Sequence, residues 1–258
     1  MKFLLENWRD YLKEEATSFD KLTDASQLEQ YASDERSPEY FMSFRDRPTG
    51  EINYQTAYDT PPGLYTYPIT TGTLNRYAKG RVPFAANQPY LVVIRKTDAA
   101  SMLDLSYSLS LRSILKLFSL EAVQNLGLEG TEFEKDVNSL IEMSAGKRDI
   151  WDAIRDGHSN FYSQALKTAK RKSDMALTWN LTRLIAEGDP SKWAEVLKYI
   201  GIKSVYDGNS GIIHKNEKQQ AGFFSPDAYE VVKVFDNQLT TRSVQQKRRA
   251  AGQYGKDD

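Results

Sequence analysis

The sequence predicts one α+β domain with its own hydrophobic core, interrupted by a helical insertion. Two observations carry this. Hydrophobic residues make up 40% of the 258-residue chain and aromatics 12%, enough to build a sizeable core. The apolar pattern is that of strands from about residue 40 to 95, of helices from about 107 to 200, and of strands again to 235. Strands, then helices, then strands argue for one domain with an insertion, although the inserted stretch is nearly long enough to fold alone. On this reading residues 1–36 are an N-terminal helical segment and 37–240 the domain, with its insertion at about 107–190. Residues 241–258 form a basic, polar tail expected to be disordered.

At the N-terminus Leu4, Leu5, Trp8, Tyr11 and Leu12 fall on one helical face opposite Glu6, Arg9, Asp10 and Lys13. A second, weaker helix is expected over Ser26–Ser33. The aromatic run Tyr40–Arg45 suits a half-buried pleated surface and reads as a strand. After a loop rich in Pro, Gly, Asn and Thr comes Leu64–Ile69, a short strand ended by Pro68. Tyr90–Arg95 is the clearest strand, and its unbroken apolar run implies burial on both faces. Helical clusters follow around Leu109–Phe118, Val137–Ile141 and Met175–Ile185, the last closed by Gly188-Asp189-Pro190. Ser191 is expected to cap the next helix, which stops at Gly201. Ser204–Tyr206, Ile212–His214, Ala221–Phe224 and Tyr229–Phe235 complete the strands.

Composition also limits the chemistry. Lys and Arg number 34 against 35 Asp and Glu, so the net charge of -1 gives no global field to attract nucleic acid or anionic membrane. Without cysteine there are no disulfides, iron–sulfur clusters, thiolate zinc sites or cysteine nucleophiles. His158 and His214 are too few for a multi-histidine metal centre, and no metal ligand is assigned, while a carboxylate magnesium or calcium site stays open. No apolar run approaches the ~20 residues that cross a bilayer, and the first residues meet charge at once, so no membrane partner and a cytoplasmic address are expected. Walker-type loops, Gly-x-Gly-x-x-Gly, Gly-x-Ser-x-Gly and His-Glu-x-x-His are all absent. A magnesium-dependent nuclease would have to rest on Asp207, Lys215 and Glu217.

Two polar knots stand out. In Gly208–Pro226, His214, the Glu217 carboxylate and the amides around Gln220 lead straight into an apolar strand, where side chains are held more firmly than in a loop. A hairpin turn with solvated side chains accounts for the same pattern. In Thr60–Pro68 the prolines stiffen the entry and Gly63 permits close backbone approach. Tyr65 and Tyr67 are expected to point to opposite faces, one ring stacking on a ligand and the other joining the core.

The order of these pieces resembles the ADP-ribosyltransferase superfamily, in particular its divergent phage-borne and toxin-like members. The resemblance implies a split β-sheet core carrying an N-terminal helix and a helical insertion. It covers about half the chain, in two blocks either side of the insertion. In that family NAD is gripped by an early, a middle and a late strand-borne motif. Phe41–Arg45 resembles the early strand, with Ser43 or Arg45 in the gripping role. Gly63–Tyr67 resembles the middle motif, with Tyr65 stacking on the nicotinamide and Tyr67 beside it. Tyr90–Arg95, ending near Leu103-Asp104-Leu105, looks like the strand that follows. Lys203–Gly208 and Glu217–Phe224 resemble the closing segment, with His214 between them as a further NAD-binding candidate. The family's late glutamate position falls on Gln220, which can hydrogen-bond a ribose hydroxyl but cannot act as a base. Glu217, three residues earlier, supplies the carboxylate if the loop curls back. The resemblance implies an NAD-dependent mono-ADP-ribosyltransferase, a glycosyltransferase-class enzyme with NAD as substrate and a protein or nucleic-acid acceptor. The alternative it carries is a catalytically inactive relative acting as a binding or phage structural module. The basic runs Lys167–Lys172 and Lys247–Arg249 are either acceptor contacts or solvated surface.

Overall fold

A computed structural model of the chain describes residues 19–52, 61–78, 84–100, 102–104, 111–145, 149–168, 174–207 and 220–239. They form a mixed α+β fold around an eight-stranded sheet. The strands are β1 (Asp20–Leu22), β2 (Tyr40–Arg45), β3 (Leu64–Pro68), β4 (Tyr90–Lys96), β5 (Leu103–Asp104), β6 (Ser204–Asp207), β7 (Gln220–Phe223) and β8 (Tyr229–Asn237). Their order across the sheet is β1-β8-β4-β2-β3-β7-β6-β5. Neighbours are antiparallel except at the two edges, where β1 runs parallel to β8 and β5 parallel to β6.

β3 joins the two halves of this sheet. Its C-terminal residues Tyr67 and Pro68 pair with Met42 and Phe41 of β2. Its N-terminal residues Leu64, Tyr65 and Thr66 pair instead with Phe223, Gly222 and Ala221 of β7. β2 and β3 therefore diverge beyond Met42. Ser43 bridges the opening, its Oγ donating to the Tyr65 carbonyl at 3.0 Å.

The core follows from strand alternation. Leu91 and Val93 of β4 join Met42, Phe44 and Phe235 in one cluster. Val92 and Ile94 join Phe41, Leu64 and Phe223 on the opposite face. All four β4 residues have no exposed area, as the unbroken apolar run required. Each such side chain contributes about 1.5–3 kcal/mol relative to exposure.

The segment expected to be a helix over Ser26–Ser33 is a 3-10 helix, Ala25–Tyr31, opened by a capping box at Asp24 and Gln27. Helix α1 (Thr71–Ala78) follows β3 directly. The strand expected to run from Tyr90 toward Leu105 divides in two. β4 ends at Lys96, a 3-10 turn at Asp98–Ala100 redirects the chain, and β5 forms at the far edge of the other half-sheet.

The helices between the two blocks of strands are α2 (Leu111–Leu115), α3 (Leu120–Asn125), α4 (Glu132–Ser144), α5 (Ile150–Arg155), α6 (Asn160–Thr168), α7 (Asp174–Ile185) and α8 (Pro190–Tyr199). They share one apolar cluster, which reaches the sheet through Val205, Phe224 and Tyr65. Asp189, not Ser191, caps α8. Its Oδ1 accepts from the backbone of Ser191 and Lys192 at 2.8 and 3.1 Å, and Pro190 occupies the first turn, where its missing N–H costs nothing. Gly201 ends the helix with φ of 86°, a left-handed conformation that favours glycine. Among the described residues no helix is long and apolar enough to cross a membrane.

Candidate functional site

The segments expected to act as early, middle and late strands are consecutive neighbours in the sheet, β2, β3 and β7. Gln220 opens β7 and is 7% exposed. Its Nε2 donates to the Tyr67 hydroxyl at 3.2 Å, linking residues 153 apart in sequence.

Alternation settles the faces. Ala221 and Phe223 belong to one cluster, so Gln220, Gly222 and Phe224 present to the opposite face. Tyr65 and Tyr67 share that face, being two residues apart on one strand. The expectation that the two rings point to opposite faces is therefore overturned, because residues two apart on a strand share a face. Their surroundings differ because the sheet opens at β3: Tyr65 packs on the helical cluster and Tyr67 on the other, beside Phe44. Both tyrosines are only partly buried.

The Tyr65 hydroxyl donates to the Pro61 carbonyl, which fixes the far end of the ring. Its edge meets Phe224 at 6.4 Å between centroids. Phe224 is held from behind by Trp179 of α7, at 5.7 Å, and Trp179 meets Trp193 at 6.2 Å. Lys203 steadies the same corner twice. Its carbonyl accepts from the Phe224 N–H at 2.8 Å and its Nζ pairs with Asp227 at 2.7 Å. With Lys203 and the Ser225 hydroxyl donating to it, the Asp227 carboxyl is held down from its ordinary 3.8 to about 2.

Ser43 and Arg45 lie on the other face. Met42 and Phe44 point toward the Tyr67 side, so the residues alternating with them point away. The Ser43 hydroxyl is committed to the Tyr65 carbonyl and is 2% exposed. Arg45 donates through Nη2 to the Glu51 carbonyl at 2.7 Å, and its Nε is buried with no hydrogen-bond partner among the described residues. The structure therefore groups Tyr65, Tyr67 and Gln220 and leaves Ser43 and Arg45 across the sheet. His214 and Glu217 lie outside the described residues, as does Lys215 of the nuclease alternative. Among the described residues no three His, Asp or Glu side chains cluster closely enough to hold a metal ion.

Chemically, the grouped residues offer an aromatic face, a phenol and a primary amide. The ring can cover a flat heterocycle, while the amide and phenol can hydrogen-bond sugar hydroxyls. The residues that sequence reasoning missed are Phe224 and Gly222. A signal was present: Gly63-Leu64-Tyr65 and Gly222-Phe223-Phe224 have the same glycine-to-aromatic spacing on strands that pair. Compared with known proteins, the chain matches no protein-family model, no curated protein and no solved structure.

Proposed function

We propose that the chain binds NAD over β3 and β7 and transfers its ADP-ribose to a protein or nucleic-acid acceptor. The observation that carries this reading is the adjacency of β2, β3 and β7, which brings Tyr65, Tyr67 and Gln220 onto one face from segments 153 residues apart. A sheet divided at β3 agrees with the split core that the family resemblance implies. In this reading Tyr65 covers the nicotinamide ring. Gln220, oriented by Tyr67, hydrogen-bonds a ribose hydroxyl.

The reaction breaks the bond between ribose C1′ and the nicotinamide nitrogen. Nicotinamide leaves with the bonding pair, and the acceptor's nucleophile forms the new bond to C1′ and loses its proton. The transition state resembles an oxocarbenium ion, which positioning, stacking and one carboxylate stabilise. Glu217 is the carboxylate assigned to that role, with His214 nearby in sequence as a second NAD contact.

A second reading has its own support. The late position is an amide whose orientation is set by a hydrogen bond to Tyr67, so Gln220 supplies no base. The chain is then a binding module that holds the nucleotide without turning it over.

Both readings are tested by incubating the purified chain with labelled NAD, cell lysate and RNA, beside Tyr65→Ala, Glu217→Ala and Gln220→Ala variants. Transfer that disappears in Glu217→Ala supports the enzyme. NAD binding without transfer or nicotinamide release, with transfer appearing in Gln220→Glu, favours the binding module. Loss of one aromatic stack in Tyr65→Ala should weaken NAD binding by about 1–3 kcal/mol. A wild-type chain that gives no NAD-dependent melting shift sinks both.

A further inference from the structure

The rings of Tyr65 and Phe224 each lie over bare backbone on the neighbouring strand. Tyr65 pairs directly with Gly222, and the same register carried one residue further sets Phe224 opposite Gly63. A Cβ on Gly222 would come within 3.1 Å of Tyr65 Cε1 and 3.2 Å of the Phe224 ring. One on Gly63 would come within 2.8 Å of Phe224 Cδ1 and 2.9 Å of the Phe223 carbonyl oxygen. The two rings are thus diagonal neighbours on one face, each seated where the opposite strand has no side chain. An aromatic laid over a cross-strand glycine covers backbone that would otherwise be exposed, and its ring height above the sheet is set by the missing Cβ.

Neither ring can slide to relieve a new contact. The Tyr65 hydroxyl is tied to the Pro61 carbonyl, and Phe224 is 3% exposed, backed by Trp179 and tethered through its N–H to Lys203. In a close-packed region a few tenths of an ångström must therefore appear as a change in ring position.

We propose that Gly222 and Phe224 are positioning residues that fix the Tyr65 ring and, through it, the affinity for the nicotinamide end of NAD. This rests on the reading that Tyr65 faces NAD. Aromatic contact depends on the ring plane, so a tilted ring loses stacking while the fold persists.

The test uses the full chain labelled with 3-fluorotyrosine, the Tyr65 resonance being assigned by Tyr65→Phe. Gly222→Ala should move that resonance, leave the far-ultraviolet circular dichroism unchanged, and weaken NAD binding by about fivefold or more. Phe224→Leu should itself move the resonance, and in the double variant the two shifts and the two affinity losses should fall short of their sum, because both changes act through one ring contact. A stationary Tyr65 resonance in folded Gly222→Ala, or fully additive effects in the double variant, overturns the proposal. Should Gly222→Ala unfold, Phe224→Leu alone decides it, because loss of the edge contact must shift Tyr65. A wild-type chain without NAD affinity fails the functional reading instead, and the fluorine spectra then judge the seating of the ring separately.

Discussion

Replacing Asp136 with alanine removes a buried carboxylate that organises the start of a neighbouring helix. Asp136 lies on α4 and is 6% exposed. Its Oδ1 accepts from the Asn160 N–H at 2.8 Å and its Oδ2 from the Ser159 hydroxyl at 2.7 Å. Ser159 has no exposed area, and its Oγ accepts in turn from the Tyr162 N–H at 3.1 Å. Aspartate and serine together satisfy the free donors at the N-terminus of α6, where negative charge is also favoured by the helix dipole. A hydrogen bond to a charged group contributes about 1.5–3 kcal/mol, and the two share partners, so Asp136→Ala should cost about 3–4 kcal/mol. Asp136→Asn keeps an acceptor for Asn160 and loses the charge, for a cost of about 1–2 kcal/mol. Urea unfolding measures both, provided the slope is unchanged between variants. Amide exchange should quicken in α6 before it does in the strands. An Asp136→Ala cost under about 1 kcal/mol, or equal costs for the two variants, would refute the argument, since a charge-assisted cap must separate them.

Two further outcomes follow from the site. The folded Asp227 carboxyl, held at about 2 against an ordinary 3.8, contributes stability that is fully present above 3.8 and is lost as pH falls through about 2. The Asp227 side chain is 50% exposed, so the pair with Lys203 belongs to the ~0.2–1 kcal/mol range, and Asp227→Asn should flatten the acid limb of a melting-temperature profile by that little. Ser43→Ala leaves the Tyr65 carbonyl without its side-chain donor and should cost about 1 kcal/mol. Because that hydroxyl faces away from Tyr67 and Gln220, NAD affinity measured by calorimetry should stay unchanged, and a large loss would return Ser43 to the gripping role that the family resemblance implies.

Local patterns made most of the strands legible. β4 is an unbroken apolar run because both of its faces are covered. β2 and β7 likewise end close to where their apolar residues do. What local pattern does not carry is where a chain goes next. Leu103-Asp104 continues the apolar character of β4, yet the Thr97 N–H is taken by the Ala228 carbonyl and the 3-10 turn sends the chain to the opposite edge of the sheet. That contact joins residues far apart in sequence, and no window of neighbours encodes it. The cap of α8 is subtler. Asp189 and Ser191 are both good capping residues, and Pro190 decides between them because its fixed φ and missing N–H suit the first helical turn.

The site was legible in residue type and not in arrangement. Strand spacing puts Tyr65 and Tyr67 on one face, against the opposite faces expected of them, and their different surroundings exist only because β3 changes partners midway, from β7 to β2. Ser43 illustrates the converse. A serine in a strand of aromatics, methionine and a terminal arginine looks like a ligand contact, since nothing local needs a hydroxyl there. The need is created by the divergence of β2 from β3, which strips the Tyr65 carbonyl of a ladder partner, and a buried carbonyl without a donor is costly. The Tyr67 hydroxyl meets Gln220 because β3 also pairs with β7, whose register with Thr66↔Ala221 carried one residue further sets the two opposite each other. One topological event, a strand shared between two half-sheets, therefore accounts both for a polar residue that is structural and for a polar pair that faces the proposed nucleotide.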